Sequence, residues 1–124
     1  IKKLGVEMVF QSFYNARVAK RGPHIHTYIM RQTAQAQCGI NYLWMSANNS
    51  SAWYSSWPSV FIRPDGFIVG QLPMNRAGMM VNVVDTHKTF YDASGRFRAD
   101  TMRGQLHSGT QPRRDPRSRN RTAL

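Results

Sequence analysis

Cys38 is the only cysteine of this 124-residue sequence and therefore its only thiol nucleophile. A catalytic thiol needs a depressed pKa, which proteins obtain from a helix N-terminus or from a neighbouring cation. Residues 35–37 (QAQ) precede Cys38 at the end of a predicted helix, where no helix N-terminus can act on it. A lone cysteine also cannot form an internal disulfide or a thiolate metal site. We therefore predict a structural role for Cys38.

The other residues capable of acid–base or metal chemistry are scattered. Glu7, the only glutamate, falls inside a short predicted strand, which indicates a position on a sheet face or edge. His24 and His26 are two residues apart and could present both imidazoles to one metal, but no third ligand is near. His87 and His107 stand alone, and no Gly-x-Ser-x-Gly elbow supports a Ser-His-Asp triad. We predict no catalytic residue, metal site or cofactor within the chain.

A strand–helix–strand unit is predicted to carry these residues. Residues 2–5 (KKLG) have the cationic side chains and glycine of a helix C-terminus, and residues 6–10 form a short apolar run typical of a buried strand. Apolar side chains at Ile25, Tyr28, Ile29 and Ala36, with no breaker until Gly39, predict a helix over 25–38. Residues 41–46 predict a second buried strand. This order predicts an α/β layer.

A β-hairpin is the clearest local signal. Residues 59–63 and 67–71 flank Pro64-Asp65-Gly66, in which proline presets φ and glycine accepts the positive φ that closes a turn. A further strand is predicted over 78–85, so that three successive strands would pair antiparallel at one edge of the sheet. From Gly95 onward Arg, Ser, Pro and Gly accumulate, which predicts an extended basic tail over 95–124 after a folded unit over 1–94.

Composition limits the classes of protein that the chain can belong to. Hydrophobic residues make up 41%, enough for one small core, and no apolar run approaches the roughly 20 residues of a membrane span. No signal-peptide pattern opens the sequence, so we expect a soluble, cytoplasmic protein with no membrane partner. The net charge of +11 is concentrated in residues 95–124, which hold eight Arg and two Asp.

Several ordered motifs resemble the second half of nitrilase-superfamily carbon–nitrogen hydrolases. They are residues 5–13 (GVEMVFQSF), the helix before Asn41, 46–48 (SAN), 59–66 (SVFIRPDG), 90–94 (FYDAS) and 115–122 (DPRSRNRT). The resemblance covers nearly the whole chain and implies part of an α-β-β-α sandwich. It also implies hydrolysis of amide, nitrile or carbamoyl substrates by a cysteine nucleophile, a glutamate base and an oxyanion-binding lysine. In that family this trio lies upstream of the matching region, so we expect a C-terminal portion that is inactive alone.

The residues closest to a substrate are predicted in the loops after the first two strands. Loops at the carboxyl ends of strands usually build the pockets of layered α/β proteins, so we assign substrate contacts there. The candidates are Ser12, Phe13, Tyr14, Asn15 and Asn48. For the two asparagines, capping of the local backbone is an equal alternative. The aromatic residues of the next loop could wall the pocket or lie at a subunit interface, and they are Trp53, Tyr54 and Trp57.

Two other classes of function compete with hydrolysis. The arginines of residues 113–121 would attract nucleic-acid phosphates, but residues from 98 onward contain no aromatic side chain on which a base could stack. Salt-dependent binding of generic DNA by the tail would identify that class. A half-sandwich would also expose apolar faces, so the chain could be a structural interaction module. Family members commonly pair sandwich against sandwich, which implies a homo-oligomer with the tail crossing onto its partner.

Overall fold

The structure, a computed structural model, describes residues 2–14, 25–52 and 55–102. A 3-10 turn (Lys2–Leu4) comes first, and the elements that follow are β1 (Met8–Ser12), α1 (Ile25–Asn41), β2 (Trp44–Asn48), β3 (Val60–Ile62), β4 (Ile68–Gln71) and α2 (Gly95–Met102). The four strands form one mixed sheet in the order β1-β2-β3-β4. In these ranges no helix is long and apolar enough to cross a membrane. The predicted α/β class is confirmed.

The predicted strand–helix–strand unit is present. Strand β1 pairs parallel with β2, and α1 connects them. Both strands begin slightly later in the sequence than predicted, and α1 extends to Asn41. The helix ends there because Tyr42 adopts a left-handed φ of 51°, and the Leu43 amide donates to the Cys38 carbonyl.

One face of α1 packs on the sheet through residues spaced four apart. Ala34 and Cys38 are buried, and Met30 packs against the same cluster. The rest of this core comes from the sheet and the loop before β3, namely Leu43, Met45, Ala47, Trp57, Val60 and Ile62. Small side chains at positions 34 and 38 allow the helix backbone to approach the strands closely.

The apolar residues that predicted α1 lie on its outer side. Ile25, Tyr28 and Ile29 are all about half exposed, and Ala36 and Ile40 are also exposed. The helix therefore has two apolar faces, and only the face that contains Ala34 and Cys38 meets the sheet. Helical periodicity predicted the element correctly because both faces repeat with the period of a helix.

The predicted hairpin is confirmed. Strands β3 and β4 pair antiparallel, with a register irregularity between Phe61 and Ile62. Gly66 adopts a φ of 84°, and its amide donates to the Arg63 carbonyl at 2.9 Å. The Gln35 side chain donates from Nε2 to the Gly66 carbonyl at 2.8 Å. This bond attaches the turn to α1 and fixes the helix over the sheet.

The prediction of a strand over 78–85 is wrong. This segment has no regular secondary structure, and no ladder joins it to the described part of the sheet. A Cβ placed on Gly70 would lie 2.8 Å from Asn82 Oδ1 and even closer to Met80 Sδ. The segment therefore crosses the sheet face at Gly70 instead of adding to its edge. Its alternating pattern came from one row of side chains resting on the sheet and one row facing outward, which includes Val81 and Val83.

The prediction of an extended tail is wrong for its first eight residues, which form α2. Asp92 accepts hydrogen bonds from the Ser94 amide at 3.3 Å and from the Arg98 guanidinium, which stabilises the start of this helix. Arg98 also donates from Nε to the Ile40 carbonyl at 3.0 Å, which joins α2 to the end of α1. Residues 103–124 lie outside the described residues.

The second face of the sheet is only partly covered. Trp44 stacks on Phe61 with ring centroids 5.6 Å apart, and Phe90, which follows the segment 78–85, meets the Trp44 ring edge-on at 5.5 Å. On β1, Phe10 is 74% exposed. The described residues thus form one sheet with α1 on one face and an extended segment over part of the other.

Candidate functional site

Ser12 and Asn48 lie side by side at the carboxyl edge of the parallel pair. They are register partners at the last positions of β1 and β2. The Phe13 amide donates to the Asn48 carbonyl at 2.7 Å, which continues the pairing one step past the strand. Three of the five predicted site residues are therefore neighbours, because parallel strands end at the same edge of a sheet. We refer to Ser12, Phe13 and Asn48 as the edge cluster.

The other two predicted residues do not join the edge cluster. Tyr14 follows Phe13 directly, but its side chain is 79% exposed. Asn15 lies outside the described residues. Tyr14 thus packs against little of the described part of the chain.

The Asn48 side chain is exposed and only weakly held. Its Oδ1 accepts from Ser46 Oγ at 3.3 Å and its Nδ2 donates to the Ser46 carbonyl at 3.4 Å, both near the limit for a hydrogen bond. These contacts run back along the strand and do not cap the following loop. The amide can therefore exchange them for a ligand at low cost.

Loop capping is performed by Asn49, which the sequence interpretation missed. Its Nδ2 donates to the Trp57 carbonyl at 2.8 Å, and its Oδ1 accepts from the Ser50 amide at 2.9 Å. Ser59 accepts from the Asn49 amide at 2.9 Å through its hydroxyl. These bonds close the loop between β2 and β3 beside the edge cluster. The sequence offered Asn48 and Asn49 as equal candidates, because asparagine side chains commonly bond the local backbone of a turn.

Trp57 anchors this loop to the core. Its side chain is 1% exposed, and Phe13 meets it edge-on with ring centroids 5.0 Å apart. Of the two roles left open for Trp57, a subunit interface is therefore excluded, because the ring is buried within its own chain. The other two aromatic residues of the loop, Trp53 and Tyr54, lie outside the described residues.

A groove of about 470 Å³ runs beside β1 on the face of the sheet that carries α1. Val9, Phe13 and Met30 give it apolar walls, and Gln37 and Asn41 add polar groups. Phe13 thus connects the groove to the edge cluster. A groove of this size and polarity is typical of a binding site for a small organic molecule or for a neighbouring element.

Cys38 is placed where it cannot serve as a nucleophile. The residue is fully buried in the core, and burial raises the pKa of its thiol to about 12. The thiolate form is therefore scarce at neutral pH. The structural role predicted for Cys38 agrees with this environment.

Glu7 lies at the wrong end of the sheet for a general base at the edge cluster. Its carbonyl accepts from the Trp44 amide at the start of β2, and its side chain is exposed. Glu7 lies five positions before Ser12, about 16 Å at the usual rise of a strand. Within the described ranges, no group of three His, Cys, Asp or Glu side chains could hold a metal ion.

Comparison of the chain with protein-family models, with curated protein sequences and with solved structures finds no match.

Proposed function

We propose that this chain forms part of a nitrilase-type carbon–nitrogen hydrolase and that the edge cluster contacts its substrate. The observation that carries the proposal is the position of Ser12, Phe13 and Asn48 together at the carboxyl edge of a parallel strand pair. This is where layered α/β proteins bind their ligands. The resemblance of the ordered motifs supplies the reaction class, with an amide, a nitrile or a carbamoyl compound as substrate.

The chemical step of such an enzyme requires groups beyond Cys38 and Glu7. For an amide, a thiolate attacks the carbonyl carbon, the C–N bond breaks, and water hydrolyses the resulting thioester. A glutamate moves the protons, and a lysine stabilises the oxyanion. Cys38 and Glu7 do not fit these roles, because one is buried and the other lies at the opposite end of β1. The resemblance places the trio upstream of the strand that becomes β1.

The edge cluster has the chemistry of a binding surface. The Asn48 amide offers both a donor and an acceptor, which suits recognition of a carbonyl or a carbamoyl nitrogen. The Ser12 hydroxyl beside it adds a further group of either kind. Phe13 provides an apolar edge, held in place by its contact with Trp57. Together they would orient a substrate without taking part in bond breaking.

The test measures hydrolysis by the full-length polypeptide that the gene encodes. Ammonia release from a panel of aliphatic amides, nitriles and N-carbamoyl compounds is measured for the parent and for Cys38→Ala, Asn48→Ala and Gln32→Ala. We expect an iodoacetamide-sensitive activity that Cys38→Ala leaves intact. We expect Asn48→Ala to raise KM or lower kcat at least several-fold, whereas Gln32→Ala, an exposed position of α1 outside the groove, serves as a matched amide control. An absence of hydrolysis across the panel, or its loss in Cys38→Ala with folding preserved, would refute the proposal.

The exposed apolar surfaces support an oligomeric sandwich as part of the same proposal. Phe10 on the uncovered sheet face would pack against a second sheet, as the α-β-β-α arrangement requires. The outer stripe of α1, with Tyr28 and Ile29, would pack against a second copy. Sedimentation velocity is the test, with Ile29→Glu expected to shift the protein toward a smaller species and Gln37→Glu expected to have no effect. Equal sedimentation of parent and Ile29→Glu would exclude this helix face as the interface.

A further inference from the structure

A further cleft, of about 250 Å³, lies beside Trp57, whose ring also contacts Phe13 of the edge cluster. It is enclosed by the first half of α1, the loop before β3 and the end of β4, and its lining includes Thr27, Arg31, Trp57, Pro58, Gln71 and Met74. Gln71 is the register partner of Val60, whose side chain lies in the core beneath α1. The cleft is therefore on the helix-covered face, with its Gln71 wall two strands away from Asn48 and its Trp57 wall in the loop that follows Asn48.

Arg31 gives this cleft a positive charge that no described carboxylate neutralises. The ion pairs of the described residues are Arg63–Asp65 and Arg98–Asp92. Arg31 is half-buried, and its Nη1 donates to Gln71 Oε1 at 3.3 Å, a long and weak bond. A guanidinium has five N–H donors in a planar fork that fits the two oxygens of a carboxylate. Most of these five N–H donors therefore remain free to bind a ligand in the cleft.

Trp57 contributes a second donor with no acceptor. Its ring forms part of the cleft wall, and its Nε1 is buried without a hydrogen-bond partner. Buried polar groups are nearly always paired in folded proteins, so each exception calls for a physical explanation. An acceptor bound in the cleft would supply the missing bond. Because Nε1 lies below the surface, a ligand reaches it only when a wall residue moves.

Met74 is suited to be that movable wall. Its side chain is 46% exposed at the cleft, and methionine is unbranched and changes rotamer easily. Together with Pro58 it also makes one side of the cleft apolar. A ligand that fits thus combines an acceptor group with a short apolar body. At about 30 Å³ for each water-sized unit, the cleft has room for roughly eight such units.

We propose that this cleft binds a small monocarboxylate with a short apolar chain. Arg31 holds the carboxylate, the Trp57 indole N–H donates to one of its oxygens, and the chain lies along Met74 and Pro58. A single guanidinium matches the single charge of a carboxylate, whereas a phosphate dianion would need a second cation, and the residues that line the cleft include none. The proposal does not rest on the hydrolase proposal, because no residue of the edge cluster lines the cleft, although Trp57 also contacts Phe13.

The test follows the indole N–H signals of the full chain by two-dimensional ¹H–¹⁵N NMR. Hexanoate, hexanamide and inorganic phosphate are titrated separately, and Trp57→Phe identifies the Trp57 signal. We expect hexanoate to move that signal with saturation and Arg31→Gln to weaken binding by about tenfold or more, the usual effect of losing a charged hydrogen-bonding partner. Arg96→Gln, which changes an exposed arginine of α2, should bind as the parent does.

Three results would overturn the proposal. Hexanamide could move the Trp57 signal as strongly as hexanoate, phosphate could bind as tightly, or Arg31→Gln could bind hexanoate with unchanged affinity. Arg31→Lys is the control for misfolding of Arg31→Gln, because lysine keeps the positive charge but lacks the planar guanidinium fork. Its affinity should fall between those of the parent and Arg31→Gln, with all other signals in place.

Discussion

Replacement of Gly66 by alanine tests how the hairpin turn holds α1 on the sheet. A Cβ at this position would lie 3.0 Å from the Gln35 carbonyl oxygen and 3.7 Å from its carbon, both backbone atoms of α1. The φ of 84° is also a conformation that side chains with a Cβ disfavour. The turn must therefore either move away from the helix or accept a clash.

The expected loss of stability is about 2–3 kcal/mol. Left-handed backbone costs an L-residue about 1–2 kcal/mol. Moving the turn away stretches the 2.8 Å bond from Gln35 Nε2 to the Gly66 carbonyl, and such a bond contributes about 0.5–1.5 kcal/mol. With a urea m-value of about 1–3 kcal/mol/M for a small protein, the unfolding midpoint should fall by about 1 M or more.

Gly39→Ala is the matched control, because Gly39 faces the same turn from α1. A Cβ there would lie 3.9 Å from the Asp65 backbone, an ordinary van der Waals contact. Alanine is favoured over glycine inside a helix by about 0.5–1 kcal/mol, so this variant should be at least as stable as the parent. Urea unfolding followed by circular dichroism compares the two. Equal midpoints for Gly66→Ala and the parent would refute the docking of the turn on α1 as described.

Three further predictions concern the core and the site. Cys38 should react with a thiol reagent at pH 8 only as fast as the protein unfolds, because burial raises the pKa of the thiol to about 12, and rapid labelling of the native chain would contradict this. Hydrogen bonds from Arg98, opposed by partial burial, lower the pKa of Asp92, so its stabilisation is present above the unfolded pKa of about 3.9 and is lost as the pH falls through the lower folded value. The difference in unfolding free energy between parent and Asp92→Asn should thus be full at pH 7 and shrink below about pH 4. Asn49→Ala should cost about 1–2 kcal/mol by urea unfolding through its lost loop bonds, whereas the exposed Asn48→Ala should cost under about 0.5 kcal/mol. Equal losses at both positions would show that the two asparagines share the capping role.

The elements that the sequence predicted well are those whose signals are local. In the Pro64-Asp65-Gly66 turn, proline fixes its own φ and glycine accepts a positive φ, so the residue types alone favour the turn. Strands β3 and β4 therefore pair as expected. Helix α1 repeats apolar residues with a helical period, and the parallel pairing of β1 and β2 follows from a helix between two apolar runs. The meeting of Ser12 with Asn48 then follows from topology alone.

The features that the sequence did not predict depend on contacts between distant residues. Residues 78–85 alternate like a strand. Gly70 has no side chain, so Met80 and Asn82 pack over the sheet face there, and the segment does not add to the edge of the sheet. The first turns of the basic tail are helical because Arg98 reaches both Asp92 and the end of α1. Neither pattern is visible in the residues of the segment itself.

The division between the two kinds of information is clearest at Cys38 and Arg31. The sequence determined that Cys38 is the only thiol and that it lies at the end of a helix, which was enough to predict a structural role. Only the tertiary structure decided that Arg31 shares a cleft with Trp57 and Gln71, which come from three separate parts of the fold. Local conformation is governed by neighbouring residues and can be inferred from their types. A cleft is made by packing, which brings together groups that no spacing along the chain reveals.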